Sequence, residues 1–256
     1  MIKNKKEDSI EYLEKKAFFN KVLTIYGRNS VKEALNDKRL TIHKLHLSTS
    51  NKDALILEEM KSISQKRKIE IAYHNKSALS RISKNAKQDQ GVALDIVLEN
   101  FMDEKEFITK HKNYKIIALD GITNPQNLGM IIRSATAGDI DAILLPSKGT
   151  AQITPLVIQA SVGTLFKLPI IATQNLSKSL QVFKDKNTTI YTLSSHAKKS
   201  YKEVVLSGKS IFVLGNETEG VSKAIEKIST STISIPMKRE VESLNVAMTA
   251  TILAFL

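Results

Sequence analysis

From Lys115 onward, short apolar segments alternate with helical patterns, and this alternation constrains the fold more than any other feature of the 256-residue chain. Strands are predicted at KIIALD, AILLP, KLPII, TIYTLS, SIFVLG and TISIP. Short apolar runs of this kind suit strands buried on both faces. Strands joined through helices in this way imply a parallel sheet covered on both sides. Thr154 followed by Pro155 marks one helix start, a cap oxygen before a proline whose missing N–H is not needed in the first turn.

A smaller α/β unit precedes this sheet. In IYGRNSVKEAL, Ser30 with Glu33 three positions on reads as a capping box, followed by Ala34 and Leu35 as a buried face. KLHLS, IEIAY and GVALDIVL read as strands. DALILEEMKSISQKR reads as a helix with its apolar face at Leu55, Ile56, Met60 and Ile63, and SALSRISKNA as a short helix. The polar stretch ENFMDEKEFITKHKN is the best linker candidate. The resulting plan is an N-terminal arm over 1–20, a small α/β domain over 21–98, a linker over 99–113 and a parallel-sheet domain over 114–256.

Composition narrows the chemistry. There is no cysteine, which excludes disulfides, thiolate metal sites, iron–sulfur clusters and cysteine nucleophiles. Of the five histidines, His43 and His46 are closest, but three apart in a strand their rings face opposite sides, so no metal site is expected. No run approaches the roughly eighteen apolar residues of a membrane span, and the charged N-terminus lacks the apolar stretch of a secretory signal. A cytoplasmic location without membrane attachment is therefore expected. Net charge is +12, from 38 Lys and Arg against 26 Asp and Glu. The excess is spread over the whole chain and favours phosphate-rich partners, although a lysine-rich surface alone produces the same number.

Three clusters sit where α/β proteins place ligands, just after strands. In NPQNLGMIIRSA, Pro125 ends the extended segment, Asn127 can cap a helix starting near Leu128, and Arg133 interrupts a run of apolar and small residues. Arg133 alone reads equally as a side chain reaching solvent or pairing with Asp139, or as a functional cation. In VLGNETEGVS, Gly215 and Gly220 have the spacing of a P-loop, but Val221 occupies the lysine position, so no such loop forms. What remains is a turn presenting Asn216, Glu217 and Glu219. In ISIPMKREVESLNVAMTATILAFL, Ser243 and Asn245 open a terminal helix, with Ser243 as an N-cap. No G-x-G-x-x-G fingerprint occurs.

Together these clusters resemble the SpoU (TrmH-like) family of RNA ribose 2′-O-methyltransferases, within the SPOUT class. NPQNLGMIIRSA, LGNETEGVS and IPMKREVESLNVAMTATILAF stand in the family's order and approximate spacing, across residues 115 to 256. The first unit is similar to the family's substrate-binding domain through IYGRNSVKEAL and DQGVAL, with Asp89 where His is common. The resemblance implies an α/β fold whose C-terminal parallel-sheet domain is threaded as a trefoil knot, preceded by the small α/β substrate-binding domain. It also implies a homodimer. S-adenosyl-L-methionine would lie on Leu193, Leu214, Gly215, Asn216, Ile235, Met237, Ser243 and Leu244. Asn127, Arg133, Glu217, Ser243 and Asn245 match the polar residues placed around the methyl group and the ribose.

The implied activity is 2′-O-methylation of a ribose, most naturally a guanosine of large-subunit (23S) rRNA. A tRNA target and a non-catalytic RNA-binding protein on the same fold are the alternatives. Arg133 is often assigned as the base in this family, yet a guanidinium is effectively always charged and has no lone pair to offer a proton. Its chemistry suits a fixed cation beside the hydroxyl and the neighbouring phosphate better.

Overall fold

The computed structural model describes residues 9, 11, 12, 15, 18, 19, 21–38, 40–84, 88–206 and 208–256. Most of the expected N-terminal arm lies outside them. The chain divides into two compact units with the boundary between Glu99 and Asn100.

The first unit is a four-stranded sheet in the order β1-β4-β2-β3, from β1 (Val22–Tyr26), β2 (Thr41–Ser48), β3 (Glu70–His74) and β4 (Val92–Val97). β4 runs antiparallel to β1 and β2, and β3 is parallel to β2. Helices α1 (Arg28–Asn36), α2 (Leu55–Lys66) and α3 (Lys76–Ser83) complete it. Strand β1 has no counterpart among the expected elements. Two local expectations are corrected. Helix α1 starts at Arg28 with Gly27 as its N-cap and no side-chain cap bond, so Ser30 lies inside the first turn and forms no capping box. Gly27 has φ +88, a conformation open to glycine at this strand-to-helix corner. On α2 the buried stripe is Leu57, Met60 and Ser64 at helical spacing, while Leu55 at the first position is 85% exposed. Asp89 now has a structural account. Its carboxylate accepts from the Gly91 N–H and from the Ser83 hydroxyl, each at 3.0 Å, tying the end of α3 to the turn before β4.

The second unit contains an eight-stranded sheet in the order β10-β12-β9-β11-β6-β7-β8-β5, parallel throughout. The six expected strands appear as β6 (Tyr114–Leu119), β7 (Ala142–Pro146), β8 (Ile170–Thr173), β9 (Thr189–Leu193), β11 (Lys209–Leu214) and β12 (Ser231–Ser234). Two-residue strands β5 (Phe101–Met102) and β10 (Lys199–Ser200) close the edges. The stretch expected as a linker is therefore part of this unit. It supplies β5, which pairs with Ile170 and Ile171 of β8, and then α4 (Glu104–Lys110), whose Phe107 is fully buried. The charges around Phe107 all lie on the solvent side of a short helix, which hides one deep anchor from a composition reading.

Alternation along the strands splits the core in two. Ile117, Leu119, Ile143, Leu145, Phe212 and Leu214 face α5 (Pro125–Ala137), α6 (Pro155–Ala160) and α9 (Val246–Ala254). Ile116, Ala118, Leu144, Ile211 and Val213 face α4, α7 (Leu176–Lys184) and α8 (Lys223–Glu226). Side chains pointing alternately to two covered faces explain why each strand reads as an unbroken apolar run. Thr154 does cap α6 by position, but its side chain makes no cap hydrogen bond.

Candidate functional site

Because every strand of the large sheet is parallel, the carboxyl ends of β9, β11 and β12 lie side by side, and the segments leaving them surround one cleft. Leu193 ends β9, Leu214 ends β11, and Ile235 and Met237 follow β12. All eight residues expected to hold a cofactor line this cleft of about 430 Å³: Leu193, Leu214, Gly215, Asn216, Ile235 and Met237, together with Ser243 and Leu244. Its walls also carry His196, Thr218, Glu219, Glu226 and Glu242. His196 and Glu242 gave no signal in the sequence, since each is an isolated polar residue in a loop.

The loop after β11 is tightly stitched. Asn216 and Gly220 exchange backbone hydrogen bonds of 3.0 and 2.8 Å, closing a bridge around Glu217. The Asn216 side chain accepts from the Thr218 N–H at 2.8 Å and donates to the Gly121 carbonyl at 2.9 Å. Asp120 accepts from the Ser222 N–H at 2.8 Å. The loop is thus pinned to the end of β6, the neighbouring strand. Gly215 is required by space. A Cβ there would lie 2.1 Å from the Gly220 carbonyl carbon and 2.2 Å from the Val221 nitrogen.

Three of the five expected catalytic residues form one hydrogen-bonded cluster. Asn127 Nδ2 donates to Glu217 Oε1 at 2.8 Å, and Asn245 Nδ2 donates to the same oxygen at 3.1 Å and to Asn127 Oδ1 at 3.2 Å. Asn127 is 5% exposed, so its amide needs these partners. Both helix starts differ from expectation. Helix α5 begins at Pro125 with Asn124 as the cap, its Oδ1 accepting from Gln126 N–H at 2.8 Å. Asn127 is thereby freed from capping and turned toward Glu217. Helix α9 is capped by Asn245, whose Oδ1 accepts from Ala247 N–H at 2.9 Å, so the exposed Ser243 is not the cap. One asparagine therefore both starts a helix and ties it to the loop.

Arg133 lies two turns along α5, on the exposed side between the buried Ile132 and Ala135. Among the described residues its side chain makes no hydrogen bond and no ion pair, with Asp139 or otherwise. It does not join the Asn127–Glu217–Asn245 cluster. Met130 on α5 and Met248 and Phe255 on and after α9 are 41, 60 and 62% exposed. Ser134 and Thr251 hydroxyls, 2.7 Å apart, join α5 and α9. Among the described residues no group of three or more His, Cys, Asp or Glu could hold a metal ion, and no helix is long and apolar enough to cross a membrane.

Comparisons with known proteins agree over nearly the whole chain. Residues 114–255 match the sequence model of the SpoU rRNA Methylase family, and residues 24–102 match that for RNA 2′-O ribose methyltransferase substrate binding. A Staphylococcus epidermidis protein named as a TrmH family tRNA/rRNA methyltransferase is 30% identical over 91% of this chain and 94% of its own. A solved structure of a TrmH family RNA methyltransferase from Porphyromonas gingivalis superposes with a TM-score of 0.63, covering 97% of each chain at 24% identity. The SpoU methyltransferase AviRb from Streptomyces viridochromogenes, in complex with AdoMet, superposes with a TM-score of 0.64 over 96% of each chain at 18% identity.

Proposed function

This chain belongs to the SpoU rRNA Methylase family, and we propose that it methylates a ribose 2′-hydroxyl of large-subunit rRNA in the cytoplasm, at a guanosine, with S-adenosyl-L-methionine as donor. Support comes chiefly from one observation. The Asn127–Glu217–Asn245 cluster adjoins, through Glu217, the cleft lined by all eight residues expected for the cofactor.

The donor set fits that cofactor. Leu193, Leu214, Ile235 and Met237 provide apolar walls, backbone groups of the flanking loops provide directional hydrogen bonds, and Glu217, Glu219 and Glu242 supply negative charge opposite a sulfonium and an ammonium. The volume of about 430 Å³ falls within the usual range for ligand pockets. When bound, S-adenosyl-L-methionine supplies an electrophilic methyl group. The protein's part is positioning and charge. Asn127 and Asn245 fix Glu217 by two donated bonds to Oε1, leaving Oε2 free to accept from a hydroxyl. Arg133 supplies a permanent cation for the ribose oxygen and the adjacent phosphate, stabilising negative charge as it develops. Ser243, exposed on the cleft wall, supplies a further hydroxyl.

The exposed Met130, Met248 and Phe255 surface supports a homodimer, since apolar groups clustered on two joined helices are best covered by a like surface. We extend the family's trefoil knot to this chain as part of the same proposal. Transfer of labelled methyl from S-adenosyl-L-methionine to unmodified rRNA and tRNA pools, followed by nucleoside analysis, tests the function. Label in 2′-O-methylguanosine of rRNA is expected. Label confined to tRNA would move the target, and RNA binding without transfer to either pool would leave a non-catalytic binding protein.

A further inference from the structure

A second polar constellation lies on the sheet of the first unit. Asp95 on β4 is 7% exposed and His46 on β2 is 6% exposed. The Thr24 hydroxyl donates to Asp95 Oδ1 at 2.6 Å, His46 Nε2 lies 3.0 Å from Asp95 Oδ2, and His46 Nδ1 lies 2.9 Å from His74 Nε2. The half-buried His74, the last residue of β3, ends the chain of contacts. Its Nδ1 has no partner among the described residues. None of these groups belongs to the cleft of the second unit.

The proton positions follow from the carboxylate. Burial opposes the Asp95 charge most, but bonds from His46 and Thr24 and the neighbouring histidines outweigh it, so the carboxyl is held below its ordinary range. A carboxylate accepts only, so His46 Nε2 carries a hydrogen. With one N–H per neutral ring, His46 Nδ1 is then a bare acceptor, and His74 Nε2 must donate to it. His74 Nδ1 is left bare at the surface. One further proton reverses this order. It enters at His74 Nδ1, the one ring nitrogen of the relay left bare. The surface group changes from acceptor to donor.

We propose that His74 Nδ1 is an RNA contact, taking a hydrogen bond from a ribose 2′-hydroxyl or a base amino group at neutral pH and losing it when the relay gains a proton. This rests on the RNA-modifying function proposed above and assigns a point of substrate recognition to the unit that matches the substrate-binding model. Burial first, then His46 and Lys44, holds His74 below the ordinary histidine range, which favours the acceptor form near neutrality. Among the described residues, the other charged or titratable groups on this sheet face are Lys44 and Glu70, paired at 2.8 Å, and Tyr26, with His43 close enough to act on Asp95.

Asp95→Asn is the decisive variant. With Oδ1 still accepting from the Thr24 hydroxyl, its Nδ2 faces and donates to His46 Nε2, the orientation that reverses the order and leaves an N–H on His74 Nδ1. Nitrogen NMR of the full chain should find His74 Nδ1 unprotonated at pH 7.5 in the native protein and protonated in Asp95→Asn. Filter binding to a transcript of large-subunit rRNA at pH 7.5 should weaken about three- to tenfold in Asp95→Asn and in His74→Phe, the worth of one hydrogen bond. The gap between native and Asp95→Asn should narrow as pH falls below the ordinary histidine range. A fully 2′-fluoro transcript separates the two donors: the gap vanishes for a ribose contact and persists for a base contact. Should Asp95→Asn not fold, His74→Phe at the outer end carries the binding test. Equal affinity of native and variant chains, or a protonated native Nδ1 at pH 7.5, overturns the inference while methyl transfer stands. A native chain that neither binds nor methylates RNA defeats the functional reading itself.

Discussion

Gly215→Ala should remove cofactor binding by a route that can be followed atom by atom. A Cβ at this position meets three backbone atoms of Gly220 and Val221 at 2.1 to 2.3 Å, and backbone cannot rotate aside as a side chain can. The loop must open by most of an ångström, which is incompatible with the two hydrogen bonds joining Asn216 to Gly220. Losing both costs about 1 to 3 kcal/mol at the usual worth of each. At ~2–4 °C per kcal/mol for a domain of this size, melting of the second unit should fall by about 2 to 12 °C. The larger effect is local. Displacing Asn216 releases Glu217 from Asn127 and Asn245 and moves a wall of the cleft, so calorimetric titration with S-adenosyl-L-methionine should show no binding at concentrations that saturate the native chain. Gly220→Ala is the contrasting control. Its Cβ meets nothing within 4 Å, and only the φ of +72 opposes it, at about 1 to 2 kcal/mol. It should bind more tightly than Gly215→Ala. A Gly215→Ala chain with native affinity and native melting would refute the steric reasoning outright.

Phe107→Ala should cost about 3 to 5 kcal/mol, as for other buried phenylalanines, and lower the calorimetric melting of the second unit accordingly. A negligible change would mean that the 99–113 segment is dispensable to that core. Arg133→Ala should slow methyl transfer about a hundred- to a thousandfold, while Arg133→Lys should keep part of the rate across the pH–rate profile. Equal rates for the two variants, with RNA binding intact, would contradict a fixed-charge role. Acid should weaken the first unit in two steps. His74 is held below its ordinary value, so the folded state binds fewer protons than the unfolded chain, and stability declines as pH falls from about 6.5. Asp95 is also held low, so its contribution, present above about pH 4, is lost on further acidification. Urea midpoints should fall between pH 7 and 5.5, and less so in His74→Phe; equal slopes would argue against the histidine's part.

Much of the large sheet was legible because strands buried on both faces leave an unmistakable apolar run, as in β6, β7 and β11. β5 and β10 were not, since two residues carry no periodicity. Phe107 was hidden for a related reason: a single anchor on a charged one-face helix does not move a composition window. Helix starts were misassigned wherever two capping residues stood close together. Asn124 rather than Asn127, and Asn245 rather than Ser243, make the cap bonds, and only the chain's path decides between such neighbours. For the site, the family resemblance pointed to eight residues of the cleft wall, Leu193 among them although it lies outside the three motifs, and missed His196 and Glu226. The contact between Asn127 and Glu217 joins the first turn of a helix to a distant loop and was beyond any local pattern, as was the Thr24–Asp95–His46–His74 relay, whose members come from all four strands of the first sheet.

The order of strands in the large sheet also governs when that sheet can exist. β11 lies between β6 and β9, so Tyr114 waits for Lys209, more than half the length of the unit later. On a ribosome, β6 emerges with one flank open and is completed only as the last strands appear. Parallel pairing over such separations is slow, and the half-built sheet exposes apolar edges meanwhile. The Asn245 that closes the cluster comes later still. Synthesis must therefore be almost complete before the Asn127–Glu217–Asn245 cluster is whole, so on the proposed function a nascent chain is silent rather than partly active.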